Sequence, residues 1–282
     1  MHRFTTLIVE SQGMIGRITL NRPHRRNAFD RTMVTELQQA FEAVTQVPAL
    51  RGIVLGAAGS VFCAGADIQW MQAESPVSES QATEDAHQLT CMLHAVDECP
   101  CPVIARVQGS AFGGGLGLLA ACDIVVAATD TTFALSETRL GLVPAVIAPF
   151  LLRKAGESFL RRYGLSGELF DASSAQRFQL VHDIVPPHTL DTRIIELTDA
   201  LMRLAPFAVR DSKALFRRMS TLSDPDRRSL GTETNAHARR GAEAAEGLAA
   251  FVEKRLPSWA HSSDRQSTEE ATSSDHGALR HT

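Results

Sequence analysis

Residues 102–124 constrain this chain more than any other stretch. Pro102-Val103-Ile104-Ala105-Arg106-Val107 reads as a buried strand, and Gln108 through Gly115 as a glycine-rich turn. Leu116 through Cys122 reads as a helix and Asp123 through Ala127 as the next strand. Such a turn gathers backbone N–H groups that lack intrahelical partners at the positive end of the helix dipole. Glycines let a ligand come close to that backbone. The junction therefore suits an anion, or charge that develops during a reaction. Alone, the same glycines would serve as an ordinary strand-to-helix turn. No Gly-Lys-Ser/Thr follows them, and their spacing is not that of a dinucleotide fingerprint.

A second small-residue loop precedes it. Gly52-Ile53-Val54-Leu55-Gly56 reads as a buried strand, followed by Gly59-Ser60-Val61-Phe62-Cys63-Ala64-Gly65-Ala66-Asp67-Ile68 and a helix over 80–98. Two strand–loop–helix units in succession predict parallel pairing with right-handed crossovers. Ligands in such sheets sit beyond the carboxyl ends of the strands, where both loops fall. A third stretch, Thr132 through Pro144, sets Glu137 in a largely apolar segment before a helix expected from Pro144 to Ala155. Burial raises a carboxylate's pKa and suits it to proton transfer near neutrality; on an exposed loop it would be an ordinary glutamate.

Elsewhere, 4–9 and 14–20 read as a hairpin turning at Ser11-Gln12-Gly13, and Asp30 as the N-cap of a helix running to Gln46. Helical spacing recurs near 157–164, 173–179, 190–205, 207–219, 226–239 and 241–255, interrupted by a short strand over 181–185. Residues 1–200 are expected to form a mixed α/β core domain and 201–258 a helical region. Residues 259–282, rich in Ser, Thr, Asp, Glu and His, are expected to form a disordered tail.

At 282 residues the chain is long enough to bury a large core. Its net charge of −4 argues against a dedicated nucleic-acid binder. No apolar run reaches the roughly 18 residues of a membrane span, and Met1-His2-Arg3-Phe4-Thr5 opens no signal-peptide core, so a cytoplasmic, membrane-free protein is expected. The five cysteines are scattered apart from Cys99-Pro-Cys101, and no His/Cys set surrounds that pair; reduced thiols are expected, and no metal.

In their order and spacing, Asn21-Arg22-Pro23 with Asn27-Ala28, Phe62 through Ile68, Gly109 through Asp123, Phe133 through Pro144 and Ala250 through Arg255 resemble the enoyl-CoA hydratase/isomerase (crotonase) superfamily. The resemblance covers about residues 4–258. It implies a ClpP/crotonase-like ββα-repeat spiral core, a C-terminal helical trimerisation region, and assembly as a homotrimer or homohexamer. It also implies an acyl-CoA substrate and no cofactor besides the coenzyme A of that substrate. By the same resemblance the backbone N–H groups of Ala64 and Gly114 hold the thioester oxygen, and Glu137 is the acid/base. Arg25 and Arg26 lie near the phosphates, backbone atoms of Ala66, Asp67 and Ile68 bind the adenine amine, and Phe251 and Lys254 close over the adenine side.

One departure bears on the reaction. The other glutamate of typical hydratases would fall at position 117, and this chain has Gly117. Single-glutamate members include Δ3,Δ2-enoyl-CoA isomerases, which remain the alternative. Ser136 through Phe150, Phe112 through Leu118, and Glu246-Gly247-Leu248 through Trp259 resemble bacterial methylglutaconyl-CoA and isohexenylglutaconyl-CoA hydratases of leucine and acyclic-terpene breakdown. That implies a branched acyl chain with a distal carboxylate, for which Arg139 and Lys154 are candidate partners. A non-catalytic acyl-CoA- or RNA-binding homologue, and a decarboxylase or thioesterase on the same scaffold, are further readings.

Overall fold

The structure, a computed structural model, describes residues 4–47, 49–73 and 76–260. The chain divides into two compact units between Glu196 and Leu197.

In the first unit β1 (Leu7–Gln12) and β2 (Ile15–Leu20) form the antiparallel hairpin. It turns one residue later than expected, at Gly13-Met14, where Gly13 takes a φ of 60°. Asp30 accepts a hydrogen bond from the Met33 N–H and caps α1 (Arg31–Thr45), whose Met33, Leu37, Ala40 and Phe41 are buried. Then come β3 (Gly52–Ala57), α2 (Ile68–Ala73), α3 (Glu79–Asp97), β4 (Val103–Val107), β5 (Ala111–Phe112), α4 (Gly114–Ala121), β6 (Ile124–Ala128) and β7 (Thr132–Ala134). They are followed by α5 (Ala148–Phe159), β8 (Phe170–Asp171), α6 (Ala172–Arg177), β9 (Asp183–Val185) and α7 (Leu190–Met202), which runs across the division.

Six strands pair in the order β1-β2-β3-β4-β6-β9, parallel from β2 onward. A second sheet, β5-β7-β8, stands beside the glycine turn. The apolar runs of β3, β4 and β6 are buried because both faces of a parallel sheet are covered. Beneath them Phe41, Phe62, Phe133 and Phe159 are fully buried in one core.

Two expectations need correction. The helix placed at Pro144 begins at Ala148, with Pro149 in its first turn; residues 144–147 turn instead, the Ala145 N–H donating to Val143 O and the Ala148 N–H to Pro144 O. The tail boundary at 259 is also too early. Trp259 packs on Gly247, where an added Cβ would lie 3.1 Å from its ring, and the Ala260 N–H donates to Pro257 O. The remainder of the expected tail, 261–282, with His261, His276 and His281, lies outside the described residues.

The second unit contains α8 (Pro206–Met219), α9 (Asp224–Arg239) and α10 (Ala242–Val252). Glu243 of α10 accepts hydrogen bonds from the Phe207 and Ala208 N–H groups and so caps α8.

Candidate active site

The three loops singled out in the sequence meet at one cavity of about 430 Å³. Gly65 takes a φ of +86°, and a Cβ there would lie 2.9 Å from Phe112 O and 3.4 Å from Gly114 N. Only glycine lets the two loops come so close. Gly113 has a φ of +49°, and a Cβ on it would stand 2.8 Å from Glu137 Oε1. The carboxylate thus rests on the glycine turn at the start of α4.

The first loop corrects one expectation. The Ala64 N–H donates to Arg26 O at 3.0 Å, so it has no hydrogen left for a ligand. The Phe29 N–H donates to Gly65 O at 2.7 Å and the Asp67 N–H to Phe29 O at 2.8 Å, a parallel bridge that turns the N–H and C=O of Ala66 to the opposite side. Ala66 lines the cavity, and no partner for its N–H is recorded among the described residues. Gly114, first in α4, likewise has a free N–H on the cavity wall. The main-chain N–H groups left open to the cavity by the two loops, among the described residues, are therefore those of Ala66 and Gly114. The sequence carried the loop but not which of its amides Arg26 would occupy.

Glu137 lines the cavity at the start of a short 3-10 turn, Glu137–Leu140. Its Oε2 is buried with no hydrogen-bond partner among the described residues. Burial lifts its carboxyl above the usual glutamate range. That combination marks a group whose proton is free to move.

The glycine at 117 has a packing reason. A Cβ there would lie 2.3 Å from Ile147 Cγ2 and 2.8 Å from Ile147 Cβ. Ile147, 3% exposed, fills the volume a second carboxylate would need.

The rest of the lining is mostly apolar, from Phe29, Val34 and Met71 through Leu140, Leu142 and Val146. Asp85 is its second acid, missed in the sequence because it interrupts an otherwise helical apolar face. Arg31 Nη2 and Gln81 Nε2 donate to Asp85 Oδ1 at 3.1 and 2.9 Å. The Arg31 guanidinium lies 5.8 Å from the ring centre of Trp70, which also lines the cavity. A larger open groove, about 820 Å³ along α9, is lined by Arg227, Arg228, Arg239 and Arg240 and has no carboxylate in its lining.

Other expected residues stand apart or have structural work. Arg25 donates to Gln69, and both Arg25 and Arg26 are exposed. Asp67 donates its N–H to Phe29 O and accepts the Met71 N–H on its carbonyl, which keeps a second lone pair. Its side chain pairs with Arg22 at 3.1 Å; burial alone would lift it, but the Trp70 N–H and Arg22 hold it below the usual range. Ile68 is exposed at the cavity edge. Phe251, 85% exposed, and Lys254 belong to the second unit. Arg139 is exposed and not among the lining residues. Lys154 is no partner for a substrate: its Nζ donates to Leu119 O and Cys122 O at the end of α4, and burial draws its ammonium down to about 8. Asn21-Arg22-Pro23…Asn27 is a scaffold motif. The fully buried Asn27 donates to Ala58 O and Val61 O, both at 2.8 Å, and ties its own segment to the start of the first loop, just after β3. Cys99 and Cys101 are buried thiols, not joined in a disulfide, with sulfurs 3.6 Å apart.

Open main-chain N–H groups and a carboxylate with one unpartnered oxygen around an apolar cavity, at the ends of parallel strands, define an α/β protein of the crotonase fold. AtuE of Pseudomonas aeruginosa superposes with a TM-score of 0.88 at 36% identity, over 91% of this chain and all of that one. An enoyl-CoA hydratase from Shewanella pealeana superposes with a TM-score of 0.87 at 36% identity, over 91% and 97%. In sequence, the 2,3-dehydroadipyl-CoA hydratase of Escherichia coli K12 is 32% identical over 89% of this chain and 97% of its own length. The pattern of the enoyl-CoA hydratase/isomerase family matches residues 10–262, and the chain belongs to that family.

Proposed function

We propose that this protein is an enoyl-CoA hydratase, adding water across the C2–C3 double bond of an α,β-unsaturated acyl-CoA. The observation that carries the reading is Glu137, one oxygen of which is buried with no partner among the described residues, beside two open backbone N–H groups in one apolar cavity. The thioester oxygen accepts hydrogen bonds from Ala66 and Gly114, which favours the enolate-like state. Ionised Glu137 takes a proton from water as the hydroxyl bonds to C3 and the π electrons move toward the thioester oxygen. The same carboxyl then returns that proton to C2, so one glutamate serves both steps. Coenzyme A enters with the substrate and no other cofactor is needed.

For the acyl end, the sequence resemblance favours a branched glutaconyl-type chain such as 3-methylglutaconyl-CoA or isohexenylglutaconyl-CoA, in leucine or acyclic-terpene catabolism. Arg31, bound to the cavity residue Asp85, is its best available cation. The lining itself favours an uncharged chain, since none of its residues is cationic. Isomerisation between the 2- and 3-enoyl esters is the alternative that the absent carboxylate at position 117 supports. The exposed apolar residues of α10, Leu248, Phe251 and Val252, support assembly as a homotrimer or homohexamer.

The test compares crotonyl-CoA and 3-methylglutaconyl-CoA for the wild type and Glu137→Gln, following oxygen incorporation from labelled water. Hydration lost in the variant supports the reading, and the preferred ester decides the acyl class. Migration of the double bond without oxygen uptake overturns it in favour of the isomerase.

A further inference from the structure

On the wall of α3 that faces the cavity, Ala82, Ala86 and Leu89 recur at helical spacing with Asp85 among them. An acid in that row is costly unless it is held, and it is held. Both recorded donors, Arg31 Nη2 and Gln81 Nε2, bind the same oxygen, Oδ1. Oδ2 has no hydrogen-bond partner among the described residues, and only 20% of the side chain is exposed. The Arg31–Trp70 contact and the Gln81 amide fix the orientation of the carboxylate. Asp85 therefore brings to a mostly apolar lining a carboxylate with one oxygen left open as an acceptor, with Glu137 as the other acid of the cavity.

We propose that Asp85 is a specificity-determining residue of the acyl site, admitting chains that end in a hydrogen-bond donor such as a hydroxyl and penalising chains that end in a carboxylate. The proposal rests on the acyl-CoA reading above and departs from the glutaconyl expectation at the chain's far end. An acceptor-only oxygen is satisfied by a hydroxyl and left unsatisfied by a methyl group. A substrate carboxylate meets like charge on Asp85 and on ionised Glu137, and the repulsive contact discriminates as much as the attractive one. Arg31 already serves Asp85 and lies outside the lining.

The test uses saturated CoA thioesters, which bind without turnover, in sets of equal length ending in methyl, hydroxymethyl or carboxylate. Sets of five and seven carbons cover two depths of the cavity, and calorimetry gives the affinities. The wild type is expected to bind the hydroxyl-ended ester at least tenfold more tightly than the carboxylate-ended one at one length or both. Asp85→Leu, which continues the apolar row, is expected to bring that ratio within threefold, and Asp85→Glu to retain it. Tighter binding of the carboxylate-ended ester by the wild type overturns the proposal, as does a ratio unchanged in Asp85→Leu. The monoamide of the dicarboxylate provides a check that needs no variant. It keeps the length and shape, removes the charge and offers N–H donors, and binding no tighter than the free acid also overturns the proposal. Failure of every ester to bind would instead sink the acyl-CoA reading, and this proposal with it.

Discussion

The two acids of the cavity sit in opposite circumstances. Glu137 has an oxygen that is buried and without a partner, and its carboxyl holds its proton to a higher pH than usual. Asp85 has one oxygen fixed by an arginine and a glutamine. The first arrangement makes a carboxyl group able to pass a proton back and forth; the second makes a fixed charge of set direction. Residue type alone does not separate a proton carrier from a selector. What separates them is which lone pairs the surrounding chain has already occupied.

The contrast is broken most directly at Glu137. Replacement by Gln is expected to lower kcat by roughly 10²–10⁴-fold with a much smaller change in KM, measured as loss of the enoyl thioester absorbance. A variant keeping a tenth of the activity would mean that Glu137 is not the main proton carrier. The next largest effect is expected from Gly114→Val. A Cβ at that position already lies 3.1 Å from the Phe29 ring, so the larger side chain displaces the N–H and costs roughly 10²–10³-fold in kcat/KM. Gly117→Glu is expected to recover nothing and to destabilise the fold by about 1–3 kcal/mol in denaturant titration, because Ile147 holds the space; adding Ile147→Ala should return much of that stability. The smallest effect is the position of the acid limb of kcat/KM. A raised pKa keeps the base protonated, and inactive, to higher pH. The acid limb should therefore lie above the 4.5 of an ordinary glutamate, and a limb at or below that value would contradict the burial of Glu137.

Much of this was legible in the chain because local chemistry dictates it. The Asp30 cap, the buried runs of β3, β4 and β6, and the glycines at 113 and 114 each follow from a nearby requirement, and together they locate the cavity. What escaped was set by distant partners. The Ala64 N–H is removed from play by a carbonyl 38 positions earlier, and no motif announces it. The two-residue strands β5 and β8 are too short to show a period, and they exist because β7 lies between them. Asp85 resembles any polar residue on a surface helix until the loops of 64–66 and 137–147 close over the same space. The late start of α5 belongs with these, since the turn at 144–147 precedes the helix cap that seats Ile147 against Gly117.

That seating also has a historical consequence. Positions 117 and 147 are coupled, so the order in which they change matters. A single exchange that restores a carboxylate at 117 meets an occupied volume and is rejected on folding grounds before its chemistry can be of use. Shrinking residue 147 first leaves a void of the isoleucine's size, which is costly in its turn. Each single step costs stability and the two together restore much of it, so an aliphatic side chain that takes no part in the chemistry keeps position 117 without a carboxylate.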